Sequence, residues 1–146
     1  YKYALIVIDV ASRYKEPLST KTASEVASAF ERIYQQGPFR WPQLFQVDHC
    51  KEFLGAVLSL MKKHNVKIRQ GHTEILRHQA VVERSNRTLA ERLFGYASEI
   101  STDFKSGERS REWVARLPTV LAALNNEITR VTSMKPVKAI TKKLYT

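Results

Sequence analysis

Apolar residues follow two rhythms along this chain, short continuous runs and recurrences every three or four positions. Tyr3 to Val10 is a run in which Ala4, Leu5, Ile6, Val7, Ile8 and Val10 leave almost no polar face, which predicts a strand buried on both sides. Asp9 alone interrupts it. Ala11 to Leu18 reads as a second strand. The polar stretch Ser19 to Thr22 then supplies capping chemistry for a helix over Ala23 to Gln35, where Val26, Ala29, Phe30 and Ile33 form one stripe before Gly37 and Pro38 end it. Short apolar runs predict strands at Leu44 to Val47 and Val66 to Arg69, with Phe53, Val57, Leu58 and Met61 at helical spacing between them. Gln70 to His78 has no period and contains Gly71, so a mobile surface loop is expected there. Helical spacing returns from Gln79 to Tyr96, with Val82, Leu89, Leu93 and Tyr96 on one side. It returns again from Ser110 to Asn125, through Trp113, Leu117, Val120, Leu121 and Leu124, where Pro118 is expected to kink or restart the helix. A last short helix begins near Pro136. Strands first, with helices between and after them, predict an α/β domain built on a sheet flanked by helices.

Composition narrows the picture. At 146 residues and 43% hydrophobic content the chain fills one core comfortably and two poorly, so residues 1–146 are expected to form a single domain. Because the chain opens directly on a strand-like segment, it reads as a fragment of a longer protein. Lys and Arg number 24 against 14 Asp and Glu, a net charge of +10, which favours a polyanionic partner, nucleic acid first and an acidic membrane surface second. There is no secretory signal and no apolar run near the roughly 20 residues a membrane helix needs. The lone Cys50 excludes an internal disulfide and any multi-cysteine metal site, zinc fingers included, and suits a reducing, intracellular compartment.

Three acids stand out. A charge inside a buried strand costs several kcal/mol unless compensated, so Asp9 is either a paired structural aspartate, with Arg13 a candidate partner, or an oxygen ligand for a hard cation at a strand end. Asp48 ends a short apolar strand and is equally readable as a turn or cap residue. On a helix Glu83 shares a face with Gln79 and Arg87, beside the apolar stripe; it either forms a surface pair with Arg87 or points into a cleft.

The wording around these acids resembles the catalytic core of integrases. The resemblance rests on Asp9-Val10-Ala11-Ser12-Arg13-Tyr14 after an apolar strand, on Gln46-Val47-Asp48 with Glu52-Phe53, and on Val81 to Leu89 around Glu83. It continues through Trp113, Leu117-Pro118, Asn125-Asn126 and Met134-Lys135-Pro136, which look like the closing helices of retrotransposon and Maverick/Polinton-type integrases. The second aspartate and the glutamate are 83 − 48 = 35 residues apart, close to the family interval. The resemblance implies a ribonuclease H-like fold, a five-stranded mixed sheet flanked by helices. It also implies that Asp9, Asp48 and Glu83 hold two Mg²⁺ or Mn²⁺ ions for DNA 3′-end processing and strand transfer. Two such ions activate an attacking hydroxyl and stabilise the leaving oxygen. The sequence departs from the family after Asp48, where His49-Cys50 replaces the usual Asn-Gly type of turn.

The expected partners follow from the same resemblance: element ends and target DNA, a second copy of the chain in a dimer or higher oligomer, and no membrane, in the nucleus. Gln79, Asn86 and Arg87, near the Glu83 face, and Lys62, Lys63 and Arg77, flanking the expected loop, are the candidate DNA contacts, read as sequence-independent phosphate binding. The rival reading is a domesticated integrase-like module that binds DNA or protein and keeps its acids without strong catalysis.

Overall fold

A computed structural model of the chain describes residues 5–18, 22–47, 55–70, 76–94 and 112–142. In chain order the elements are β1 (Leu5–Ile8), β2 (Lys15–Leu18), α1 (Ala23–Gln36), β3 (Leu44–Val47), α2 (Ala56–Lys63), β4 (Lys67–Gln70), α3 (Leu76–Phe94), α4 (Glu112–Asn126) and α5 (Pro136–Ala139). The chain is therefore α/β, as the two rhythms required. Among the described residues the strands pair as two two-stranded sheets rather than as five strands: β1 with β2 antiparallel, Ile8 opposite Lys15, and β3 with β4 parallel, Leu44 opposite Lys67.

β1 and β2 are shorter than the apolar run suggests because residues 9 to 14 close a hairpin. The Asp9 amide donates to the Tyr14 carbonyl at 2.9 Å and the Arg13 amide donates to the Asp9 carbonyl at 2.8 Å. Val10, counted as buried on sequence grounds, is thereby carried out of the strand and is exposed. The alternation of β1 then sorts its side chains. Leu5 and Val7 join a core with Phe30, Ile33, Val57 and Met61 from α1 and α2, while Ile6 packs on Leu89, Leu93, Leu117, Leu121 and Leu124 from α3 and α4. A strand apolar on both faces is what a layer between helices demands.

α1 starts where the sequence indicates. Thr22 caps α1, its hydroxyl accepting from the Glu25 amide while the Glu25 carboxylate accepts from the Thr22 amide. Phe30 carries the α1 stripe into the core, edge-on to Phe45 of β3. α3 begins at Leu76, so the last three residues of the expected mobile loop are helical and Gln70 lies in β4. Residues 71–75 lie outside the described residues. Val82 corrects a further expectation: it is 40% exposed, since the α4 side chains that bury Leu89 and Leu93 sit about two turns further along α3. Pro118 is tolerated within α4.

Candidate active site and basic surface

Of the three acids, Asp9 and Glu83 are described and Asp48 lies outside the described residues, as do His49, Cys50 and Glu52. Asp9 is placed by the hairpin. Its Oδ2 accepts from the Ser12 amide at 2.8 Å and from the Ser12 hydroxyl at 2.5 Å, and the Ser12 oxygen accepts in turn from the Tyr14 amide at 3.2 Å. Ser12, fully buried, is thus a partner of Asp9, beside the Arg13 that the sequence offers for the role. A short polar side chain bonding backbone a few residues on is the chemistry that closes turns. The Asp9 carboxylate also makes itself felt at buried Tyr34 of α1, whose phenol is pushed well up from its ordinary value by burial first and by the Asp9 charge second.

Glu83 sits exposed on α3, and Asn86 and Arg87 beside it are exposed as well. Among the described residues Glu83 and Arg87 form no ion pair, so the surface pairing expected of them is not made and the Glu83 carboxylate faces solvent. No three His, Cys, Asp or Glu side chains stand together as a metal site among the described residues, a group that leaves Asp48 out of account. Lys62 and Lys63 are exposed on the last turn of α2. Gln79 and Arg77 fall on the first turn of α3, but their side chains lie outside what is described.

The sequence did not single out a second polar centre, at the hairpin end of β2. Asn125 of α4 is buried and clamps the Lys15 backbone, its Oδ1 accepting from the Lys15 amide and its Nδ2 donating to the Lys15 carbonyl, both at 2.9 Å. Lys15 itself is buried, and its Nζ donates to the Arg13 carbonyl at 3.0 Å. Burial holds the Lys15 ammonium below its ordinary pKa; Arg13 and Arg92 push the same way, and Glu127 pushes back. Arg92 binds Glu127 through both guanidinium nitrogens, Nη2 to Oε2 at 2.8 Å and Nη1 to Oε1. The available signal is weak: Asn125 figures in the sequence only within the Asn125-Asn126 pair of the resemblance, and Lys15 only as a residue of the second expected strand.

No protein-family profile matches the chain. A transposon-derived protein of Caenorhabditis elegans is 31% identical over 138 residues, covering 92% of this chain and 44% of the relative, so the chain spans under half the length of the curated protein it matches. Solved structures agree on the fold. The catalytic core of BIV integrase superposes with a TM-score of 0.65 at 21% identity, over 91% of this chain and 81% of that one. The HTLV-2 integrase catalytic core, solved with magnesium in a trimeric form, gives 0.65 at 17% identity over 95% and 88%. A simian T-cell lymphotropic virus intasome in complex with the PP2A regulatory subunit B56 gamma gives 0.68 at 14% identity over 94% and 47%.

Proposed function

We propose that this chain, whose fold is that of integrase catalytic cores, works as one: a divalent-metal-dependent polynucleotidyl transferase that trims DNA 3′ ends and joins them to target DNA. The observation that supports this most is the extent of the likeness, a TM-score of 0.65 over 91% of the chain against a core that is itself covered to 81%. The match to a transposon-derived relative fits it. In this reading Asp9, Asp48 and Glu83 are the metal ligands. Their oxygens are the hard donors that Mg²⁺ and Mn²⁺ take, and the magnesium bound by one neighbouring core supports that choice. Two bound ions supply a polarised nucleophile, water in trimming and a 3′-hydroxyl in joining, and stabilise the leaving oxygen.

The chain's own residues do the rest. Glu83, exposed on α3 and unpaired with Arg87, keeps a carboxylate at the DNA-facing edge, while Asn86 and Arg87 beside it hold phosphates, as do Gln79, Arg77, Lys62 and Lys63. The five-stranded sheet, assembly into a dimer or larger oligomer and a nuclear site of action belong to the same proposal.

One observation favours a second reading of Asp9. Its Oδ2 is held twice by Ser12 inside a hairpin turn, which is a structural post. In that reading Asp48 and Glu83 are the ligands this part of the chain supplies, and Asp9 shapes the β1–β2 turn. Calorimetric titration of Mn²⁺ into the parent, Asp9→Asn, Asp48→Asn and Glu83→Gln separates the two. All three variants lose metal under the triad reading, whereas Asp9→Asn keeps metal and loses thermal stability under the other. A parent that binds no Mn²⁺ at millimolar concentration contradicts both.

A further inference from the structure

Between α4 and α5 the chain makes a closed turn whose most exposed side chains are aliphatic. Leu124 and Asn125 are buried before it and Pro136 and Ala139 after it, so the turn is anchored at both ends. Within it the Ser133 amide donates to the Thr129 carbonyl at 2.9 Å and the Thr129 amide to the Met134 carbonyl at 3.0 Å. The Thr132 hydroxyl oxygen accepts from the Met134 amide at 3.3 Å, and the Thr129 and Thr132 hydroxyls meet at 2.8 Å. A turn already ordered in this way loses little entropy when it is bound. Yet Ile128 is 71% exposed and Val131 68%, whereas Val10, Leu44 and Val82, the other exposed large hydrophobics among the described residues, lie at 40–44%. A single exposed aliphatic is ordinary. Two β-branched ones, three positions apart on one fixed turn, mark a point of contact.

We propose that this turn docks an acidic protein segment bearing aliphatic side chains, with Ile128 and Val131 as the apolar anchors and the cations around them as the rim. Arg130 stands between the two anchors, and Lys135, Lys138 and Lys142 follow on α5 and its flanks; all but the half-buried Lys135 are exposed. No Asp or Glu follows Glu127 in the sequence, and the Glu127 carboxylate is itself held on both oxygens by Arg92. The surroundings of the anchors are therefore cationic. An apolar centre with a charged rim is the ordinary build of a protein contact, and opposite charge on the partner speeds and orients the encounter. Other occupants fit less well. A symmetric contact with a second copy sets this basic turn against itself in a chain already at +10. A DNA duplex satisfies the cations but leaves the aliphatics in water unless they unstack a base step. An anionic membrane does the same, since two short side chains give it little apolar area to bury. The inference does not depend on the carboxylates or on DNA joining.

A random-peptide display library is selected on the 146-residue chain, and the enriched peptides are measured by fluorescence anisotropy. The proteins compared are the parent, the double variant Ile128→Ser with Val131→Ser, the double variant Arg130→Gln with Lys138→Gln, and Leu44→Ser as an exposed apolar control on β3. Enriched sequences are expected to combine Asp or Glu with Leu, Ile or Val. Each double variant is expected to bind them about tenfold more weakly or worse, with Leu44→Ser at the parental affinity. The loss in the charge variant is expected to shrink as salt rises. Both double variants are expected to melt with the parent, because the side chains replaced are exposed. No enrichment, enrichment without acidic residues, or undiminished binding by either double variant overturns the proposal. A lowered melting temperature of the serine variant overturns it as well, by showing that the aliphatics pack within the fold. A short DNA duplex, phosphatidylserine vesicles and sedimentation of the protein alone score the other occupants. If the serine variant binds duplex or vesicles more weakly than Leu44→Ser does, or turns a dimer into a monomer, while its peptide binding is parental, the turn serves that occupant and the acidic-partner assignment fails.

Discussion

Asn125 meets Lys15 through two buried hydrogen bonds of 2.9 Å, tying α4 to β2 across 110 residues of sequence. The amide occupies the edge of β2 facing away from β1, offering the Lys15 backbone the donor and acceptor a further strand would give. Pro17, two residues along the same edge, has no amide hydrogen to satisfy. Replacing Asn125 by Ala strands one buried N–H and one buried C=O, each costing about 1–3 kcal/mol. Asn125→Ala is therefore expected to lower stability in urea by ~2–6 kcal/mol; a loss under ~0.5 kcal/mol shows that the clamp is not holding the layer together.

The capping box of α1 makes a smaller claim. Thr22→Ala removes the acceptor of the Glu25 amide and is expected to cost ~0.5–2 kcal/mol, with Thr22→Ser close to the parent. Equal melting of all three proteins contradicts the assignment.

Arg92 and Glu127 make a prediction about pH. Hydrogen bonding to Arg92 holds the Glu127 carboxyl below its ordinary value, so the pair adds stability above the unfolded glutamate pKa of about 4.3. That stability disappears as pH falls through the depressed folded value. Both side chains are largely exposed, which limits the coupling to ~0.2–1 kcal/mol and makes it sensitive to salt. A double-mutant cycle with Arg92→Gln and Glu127→Gln is expected to give this coupling at pH 7 in low salt and none at pH 2. Coupling that persists at pH 2 rules out an ionic origin.

DNA binding by the chain is expected to be electrostatic and indifferent to sequence, since its candidate contacts are lysines, arginines and amides on a surface of net charge +10. Raising salt from about 50 to 200 mM is expected to cut affinity by orders of magnitude if several phosphates are held. Sequence-selective binding that survives high salt contradicts this.

Much of the architecture was legible because periodicity reports burial directly. The stripe of α1, the run of β3 and the Leu89, Leu93, Leu117, Leu121 and Leu124 contacts are simple consequences of spacing. What spacing does not encode is where a strand turns. The apolar run through Val10 concealed a hairpin that only the Asp9–Ser12 and Asp9–Tyr14 bonds define. Nor does spacing say how far a neighbouring helix reaches, which is why Val82 is exposed. The candidate site was legible differently, through the order and interval of the acids. Its weakest member is the one whose backbone the hairpin sets, because an aspartate at a strand end has the same sequence signature whether it closes a turn or holds a cation. The Arg13 and Lys15 environment was invisible, since it depends on Asn125 and Arg92 arriving from distant helices.

Strand joining in Mn²⁺, measured on a branched DNA that mimics the joined product, tests the account most directly when parent and Glu83→Gln are compared. The substitution keeps size and helix propensity and removes one anionic ligand, so the fold is expected to survive unchanged while activity falls by orders of magnitude. A parent that cleaves and rejoins this DNA only with divalent metal, beside an inert, fully folded Glu83→Gln, is the result expected. Equal activity in the two proteins contradicts the assignment of Glu83, and an inert, metal-free parent contradicts the enzyme reading itself.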